Sequence, residues 1–126
     1  MVYNNECRDV LVFENFGIEK DLEDMLKQIG FVPHLAETRE EFLEIYHDGM
    51  YSAAVFDCGE TIQDEEVDSN HVALDLAYRL VGESGIKVAL VYSGELSPRM
   101  QELQNSGLSF IQKPFSENDL RRFLTG

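Results

Sequence analysis

Residues 53–61 read AAVFDCGET: four apolar residues run straight into the carboxylate of Asp57, and the acidic stretch IQDEEVDSN (62–70) follows. A short unbroken apolar run that ends on a polar turn former reads as a strand covered on both faces, as in a parallel sheet. Working outward, DVLVF (9–13), KVALVY (87–92) and SFIQ (109–112) have the same character. FVPHLA (31–36) is a fifth strand, and Pro33, which has no N–H to give a ladder, places it at a sheet edge.

Between these strands the hydrophobic period changes to that of a helix. Leu22, Met25, Leu26 and Ile29 recur at i, i+3, i+4 and i+7, and Gly30 follows as a C-terminal cap. Thr38 with Glu41 forms a capping box ahead of Phe42, Leu43 and Tyr46, and that helix stops near Gly49. Ser69 or Asn70 caps a third helix through Leu74, Ala77, Leu80 and Val81. Ser97-Pro98 opens a fourth helix before Met100 and Leu103, and Ser116 with Asp119 opens a fifth through Leu120, Phe123 and Leu124. Strand and helix thus alternate five times. That pattern predicts an α/β fold, one (βα)5 domain over residues 1–126, with a doubly wound five-stranded parallel sheet and right-handed crossovers.

Composition bounds the function. A chain of 126 residues encloses one hydrophobic core. No window approaches the run of about 20 apolar residues that a bilayer span needs, and the start MVYNNECRDV lacks a signal-peptide pattern, so the expectation is a cytoplasmic protein with no membrane contact. The net charge of −14, from 24 acids and 10 bases, opposes a polyanionic partner, so nucleic acid is excluded. Cys7 and Cys58 make neither a disulfide framework nor a zinc pattern.

In a doubly wound sheet the functional crevice lies outside the carboxyl ends of the strands, where the strand order reverses. Glu14-Asn15, Asp57, Tyr92-Ser93 and Lys113-Pro114 all fall at such ends. Each has an ordinary explanation alone. Asp57 can begin a turn, Glu14 can face a helix dipole, Ser93 and Tyr92 can cap a loop, and Lys113 can be solvated. Together they share one chemical sense: carboxylate and amide oxygens for Mg²⁺, a carboxylate nucleophile, and a cation and hydroxyl to steady phosphoryl oxygens. His34, His47 and His71 have no metal-ligand spacing and read as surface or edge residues.

VLVFEN, AAVFD and SGLSFIQKPFSENDL resemble the first strand with its acidic pair, the phosphoacceptor strand and the ending of the CheY-like receiver domains of bacterial response regulators. The likeness spans nearly the whole chain, and KPF after a short apolar strand is its most specific part. It implies a flavodoxin-like sheet of order 2-1-3-4-5 and a role in two-component signal transduction or a phosphorelay. Asp57 would accept a phosphoryl group from a histidine kinase or phosphotransfer protein. Glu14, Asn15, Asp57 and the backbone carbonyl of Gly59 would surround Mg²⁺, and Lys113 would pair with Asp57 or its phosphoryl group. Phe110 would report the state of the site to the surface of the fourth helix, fifth strand and fifth helix, where a downstream protein or a second copy in a homodimer would dock.

Three positions depart from the family pattern. Asn15 stands where a second acid is usual, so Mg²⁺ should bind weakly. Direct alignment puts Tyr92 at the small-hydroxyl position, which Ser93 fills only after a one-residue shift. The loop after Asp57 is longer and carries Glu60, Asp64, Glu65, Glu66 and Asp68. These departures support an alternative, a pseudo-receiver that acts as a phosphorylation-independent interaction module. VFDCGET also faintly resembles the haloacid dehalogenase-like phosphatases, but Gly59 stands where that family has an acid, so the chain is not read as an enzyme.

Overall fold

A computed structural model describes residues 8–14, 21–48, 51–60, 75–82, 86–93, 98–104, 106–113 and 115–125. The strands are β1 (Asp9–Glu14), β2 (Val32–Ala36), β3 (Ala53–Glu60), β4 (Lys87–Ser93) and β5 (Ser109–Gln112). The helices are α1 (Asp21–Gln28), α2 (Arg39–Asp48), α3 (described over residues 75–82), α4 (Pro98–Glu102) and α5 (Glu117–Thr125). The sheet is wholly parallel in order β2-β1-β3-β4-β5, so the chain leaves β1 toward one edge and returns past it to the other. The edge position of β2 agrees with Pro33, whose missing N–H costs nothing on an outer rim.

Alternation along the strands fills two separate cores. Leu11, Phe13, Ala54, Phe56, Val88, Leu90 and Tyr92 face one side, with Phe42 of α2, Leu76, Ala77 and Leu80 of α3 and Met100 of α4. Val10, Val12, Ala53, Val55 and Val91 face the other, against Leu22 and Leu26 of α1 and Leu120 and Leu124 of α5. The larger core is aromatic at its centre: Phe13, Phe42 and Phe56 lie with ring centroids 5.2 to 5.9 Å apart. With both faces covered, the central strands must be apolar at every position, which explains their unbroken runs.

Local chemistry sets the helix ends. Gly30 has φ 95°, the left-handed conformation of a Schellman cap, and the N–H groups of Phe31 and Gly30 close on the carbonyls of Leu26 and Lys27 at 2.9 and 3.1 Å. At α2 the Glu41 N–H donates to Thr38 Oγ1 at 3.1 Å, while the Glu41 carboxylate accepts from the Glu37 N–H at 2.7 Å. The α5 start is a reciprocal box between Ser116 and Asp119, at 2.9 and 3.2 Å. The expected caps at Ser69, Asn70 and Ser97 and the stop at Gly49 lie outside the described residues.

One boundary corrects the sequence reading. The third strand does not stop on Asp57 but runs on to Glu60, with a register irregularity between those residues before Glu60 pairs with Ser93. β4 supplies the reason, since it continues to Ser93 and gives Glu60 a ladder partner once the extra residue of β3 is bulged out.

Candidate functional site

Asp57 is the buried charged residue among the described positions, only 3% exposed. It stands at the central strand β3, with Glu14 of β1 and Val91 of β4 as its neighbours in register. The strand order reverses at β1, so Glu14 and Asp57 flank the crevice that a doubly wound sheet opens at its carboxyl end.

Lys113 comes from the next strand but one. Its backbone N–H donates to the Tyr92 carbonyl at 2.7 Å, extending the β4–β5 ladder one step beyond Gln112 and fixing the root of the side chain. The ammonium then reaches over the end of β4, a span of two strand spacings or roughly 10 Å. Nζ lies 3.1 Å from Asp57 Oδ1 and 3.2 Å from Oδ2, so it meets both carboxylate oxygens. The side chains are 24% and 4% exposed, which makes this a largely desolvated ion pair. Such pairs are poor devices for stability, because taking two charges out of water costs about what their attraction returns. A buried pair at the mouth of a crevice therefore suggests chemistry before architecture.

The other expected site residues divide by what is described. Glu14 ends β1 beside Asp57, Gly59 lies inside the irregular end of β3, and Ser93 ends β4 opposite Glu60. Asn15, Pro114 and the acidic stretch 61–68 lie outside the described residues. Tyr92 is 9% exposed, and its ring packs into the larger core in a T-shaped pair with Phe110, centroids 6.5 Å apart and planes at 75°. Val91, the register partner of Asp57, faces the opposite core. Among the described residues, no group of three or more His, Cys, Asp or Glu could hold a metal ion. No helix is long and apolar enough to cross a membrane, among the residues described.

Two features were not anticipated. His34 is tied rather than idle: its Nε2 lies 3.0 Å from Asp9 Oδ1 and its ring meets Tyr51 edge-on at 5.4 Å. Asp9 starts β1, so the cluster fastens the edge strand away from the Asp57 end. Twenty-five residues separate the two partners, and only the sheet register brings them together. The second feature is a cavity of about 340 Å³ at the β5 edge, lined by Phe110, Ile111, Gln112, Asp119, Arg122 and Phe123.

No family model matches the sequence, and no curated protein matches it in sequence. Solved structures do match in fold. A CheY-like response regulator receiver domain protein from Methanospirillum hungatei JF-1 is 21% identical, with a TM-score of 0.68, covering 93% of this chain and 90% of that one. The chemotaxis protein CheY4 of Vibrio cholerae is 18% identical with a TM-score of 0.68, over 94% and 97% of the two chains. Full-length FixJ from B. japonicum is 18% identical with a TM-score of 0.68, and the match covers 92% of this chain but 55% of that one. The chain has the fold of CheY-like receiver domains, as its motifs led one to expect.

Proposed function

We propose that this receiver fold serves two-component signalling, with Asp57 accepting a phosphoryl group from a phosphohistidine on a histidine kinase or phosphotransfer protein. In the transfer an Asp57 carboxylate oxygen forms the new P–O bond as the P–N bond to the donor imidazole breaks. The donor ring leaves with the bonding pair and takes up a proton. The observation that carries this reading is the Lys113 ammonium within 3.1 and 3.2 Å of both oxygens of a buried Asp57 at the sheet's switch point. A fixed cation there neutralises charge on the incoming phosphoryl oxygens without reorganising at the moment of transfer.

Mg²⁺ fits the chemistry of the donor set, which is all oxygen. Glu14, Asn15, Asp57 and the Gly59 carbonyl would hold it, and it would supply further neutralisation of phosphoryl charge. Two carboxylates rather than three, one of them shared with Lys113, make this a weak site. The phosphodonor and any downstream protein are acidic-tolerant partners, since the chain brings a net charge of −14 to every encounter.

A second reading is a pseudo-receiver that binds a protein partner without phosphate. Tyr92 favours it, because its buried ring is packed against Phe110 at the strand end where a small hydroxyl would serve phosphoryl binding. The two readings separate in an amide NMR titration with Mg²⁺ followed by beryllofluoride. Saturable shifts around Asp57 and Lys113 that vanish in Asp57→Asn support phosphoryl acceptance. A spectrum indifferent to both additions supports the pseudo-receiver.

A further inference from the structure

The outer rim of β2 is a sheet edge on which a further strand could pair. Val32 gives its N–H inward, to the Arg8 carbonyl at 2.8 Å, and lies opposite Asp9 of β1. Peptide groups alternate in direction along a strand, so His34 and Ala36 also face β1, whereas Pro33, Leu35 and the flanking Phe31 and Glu37 face away from it. Most of those outward positions offer no donor. The Phe31 N–H closes the α1 cap on the Leu26 carbonyl at 2.9 Å, and the Glu37 N–H donates to the Glu41 carboxylate at 2.7 Å in the α2 cap. Pro33 has no N–H, and its ring carbons stand where one would point. Among the described residues, Leu35 keeps the one outward N–H of this rim that none of these groups removes.

The side chains show why a closed rim matters. FVPHLA (31–36) contains no Asp, Glu, Lys or Arg, and Val32 is 49% exposed. A short, uncharged, apolar edge segment is the pattern that pairs with a copy of itself, and a proline or a charge within it is what prevents the pairing. We infer that Pro33 is a gatekeeper: with the two helix caps it leaves too few donors on β2 for strand pairing with a second copy of this chain. The caps of α1 and α2 therefore serve the sheet edge as well as the helices. Net charge repels copies generally, but no charged side chain lies within the segment to do so at the rim itself. The inference is independent of phosphoryl transfer to Asp57.

The test is self-association of the whole chain, read by sedimentation equilibrium in about 150 mM NaCl, where charge repulsion is screened beyond about 8 Å. Pro33→Thr restores one outward N–H per copy, and two edges meeting about a twofold axis gain two hydrogen bonds. At about 5-fold for each, the association constant should rise roughly 25-fold over wild type. Amide exchange at Leu35 should slow as the concentration of this variant increases. Pro33→Ala restores the same N–H on a poorer strand former, should shift in the same direction, and covers the case in which the threonine variant does not fold. Val32→Lys added to Pro33→Thr should bring association back toward wild type, although the new lysine lowers the net negative charge that keeps copies apart. Ser116→Ala weakens the head of α5 without touching the rim, and should associate as wild type does. The inference is overturned if a folded Pro33 variant associates no more than wild type, if Val32→Lys does not reverse the gain, or if Ser116→Ala gains as much. It is equally overturned if the added association leaves Leu35 exchange independent of concentration, or if neither Pro33 variant folds, which would make Pro33 a requirement of the fold itself.

Discussion

Asp57 and Lys113 are unequal partners in one ion pair, and the difference can be measured. Lys113 keeps a quarter of its side chain in solvent, while Asp57 has almost none. Lys113→Ala leaves a buried carboxylate without its cation and should cost about 3 kcal/mol of folding stability, the lower end expected for breaking a buried pair. Asp57→Asn leaves a lysine that can rehydrate, so its cost should be about 1 kcal/mol or less. The double variant should regain part of what Lys113→Ala loses. Urea unfolding of the four proteins checks this, and an equal cost for the two single variants would contradict it. That the pair would form was legible in the sequence, because Lys113 and Asp57 fall at ends of parallel strands in one sheet. Where the Tyr92 ring would go was not legible: a strand-end residue can serve the crevice or the core, and the choice depends on neighbours such as Phe110 that only the fold supplies.

At the level of elements, capping explains where the helices start and how firmly. The reciprocal bonds between Ser116 and Asp119 satisfy two backbone N–H groups at the head of α5, whose Leu120 and Leu124 close the smaller core. Ser116→Ala should therefore lower stability by about 1 kcal/mol, and Ser116→Gly by only a few tenths, in thermal or urea unfolding. At its other end α5 is tied by Lys87, whose Nζ donates to the Leu124 carbonyl at 3.0 Å. Lys87→Met should loosen the last turn, visible as faster amide exchange in residues 122–125 with the rest of the chain unchanged. The caps at Gly30, Thr38 and Ser116 could be read from sequence because each is decided within a few residues. The end of β3 could not, because its pairing beyond Asp57 resumes only at Glu60, opposite Ser93 on another strand. The tie between His34 and Asp9 was hidden for the same reason.

Across the whole molecule, charge is divided as unevenly as the fold is regular. Residues 1–70 carry the entire net charge of −14, whereas residues 71–126 hold as many bases as acids. Among the described residues the division follows the sheet order: an acidic half over β2, β1 and β3, with 12 acids and 3 bases in residues 8–60, lies beside a half over β4 and β5 with 4 acids and 6 bases in residues 75–125. Self-repulsion in the acidic half should make the protein more stable in salt: raising NaCl from about 10 to 150 mM shortens the screening length from about 30 to 8 Å. The melting temperature should rise over that range, and a fall would mean that attractive surface pairs dominate. The central claim concerns one carboxylate, and covalent labelling tests it most directly. The protein is incubated with Mg²⁺ and acetyl phosphate, then mapped by peptide mass spectrometry. A single alkali-labile phosphoryl group on the peptide containing Asp57, absent from Asp57→Asn, is the predicted result. No label on the wild type under conditions that modify an active receiver, or equal label on Asp57→Asn, would contradict the account.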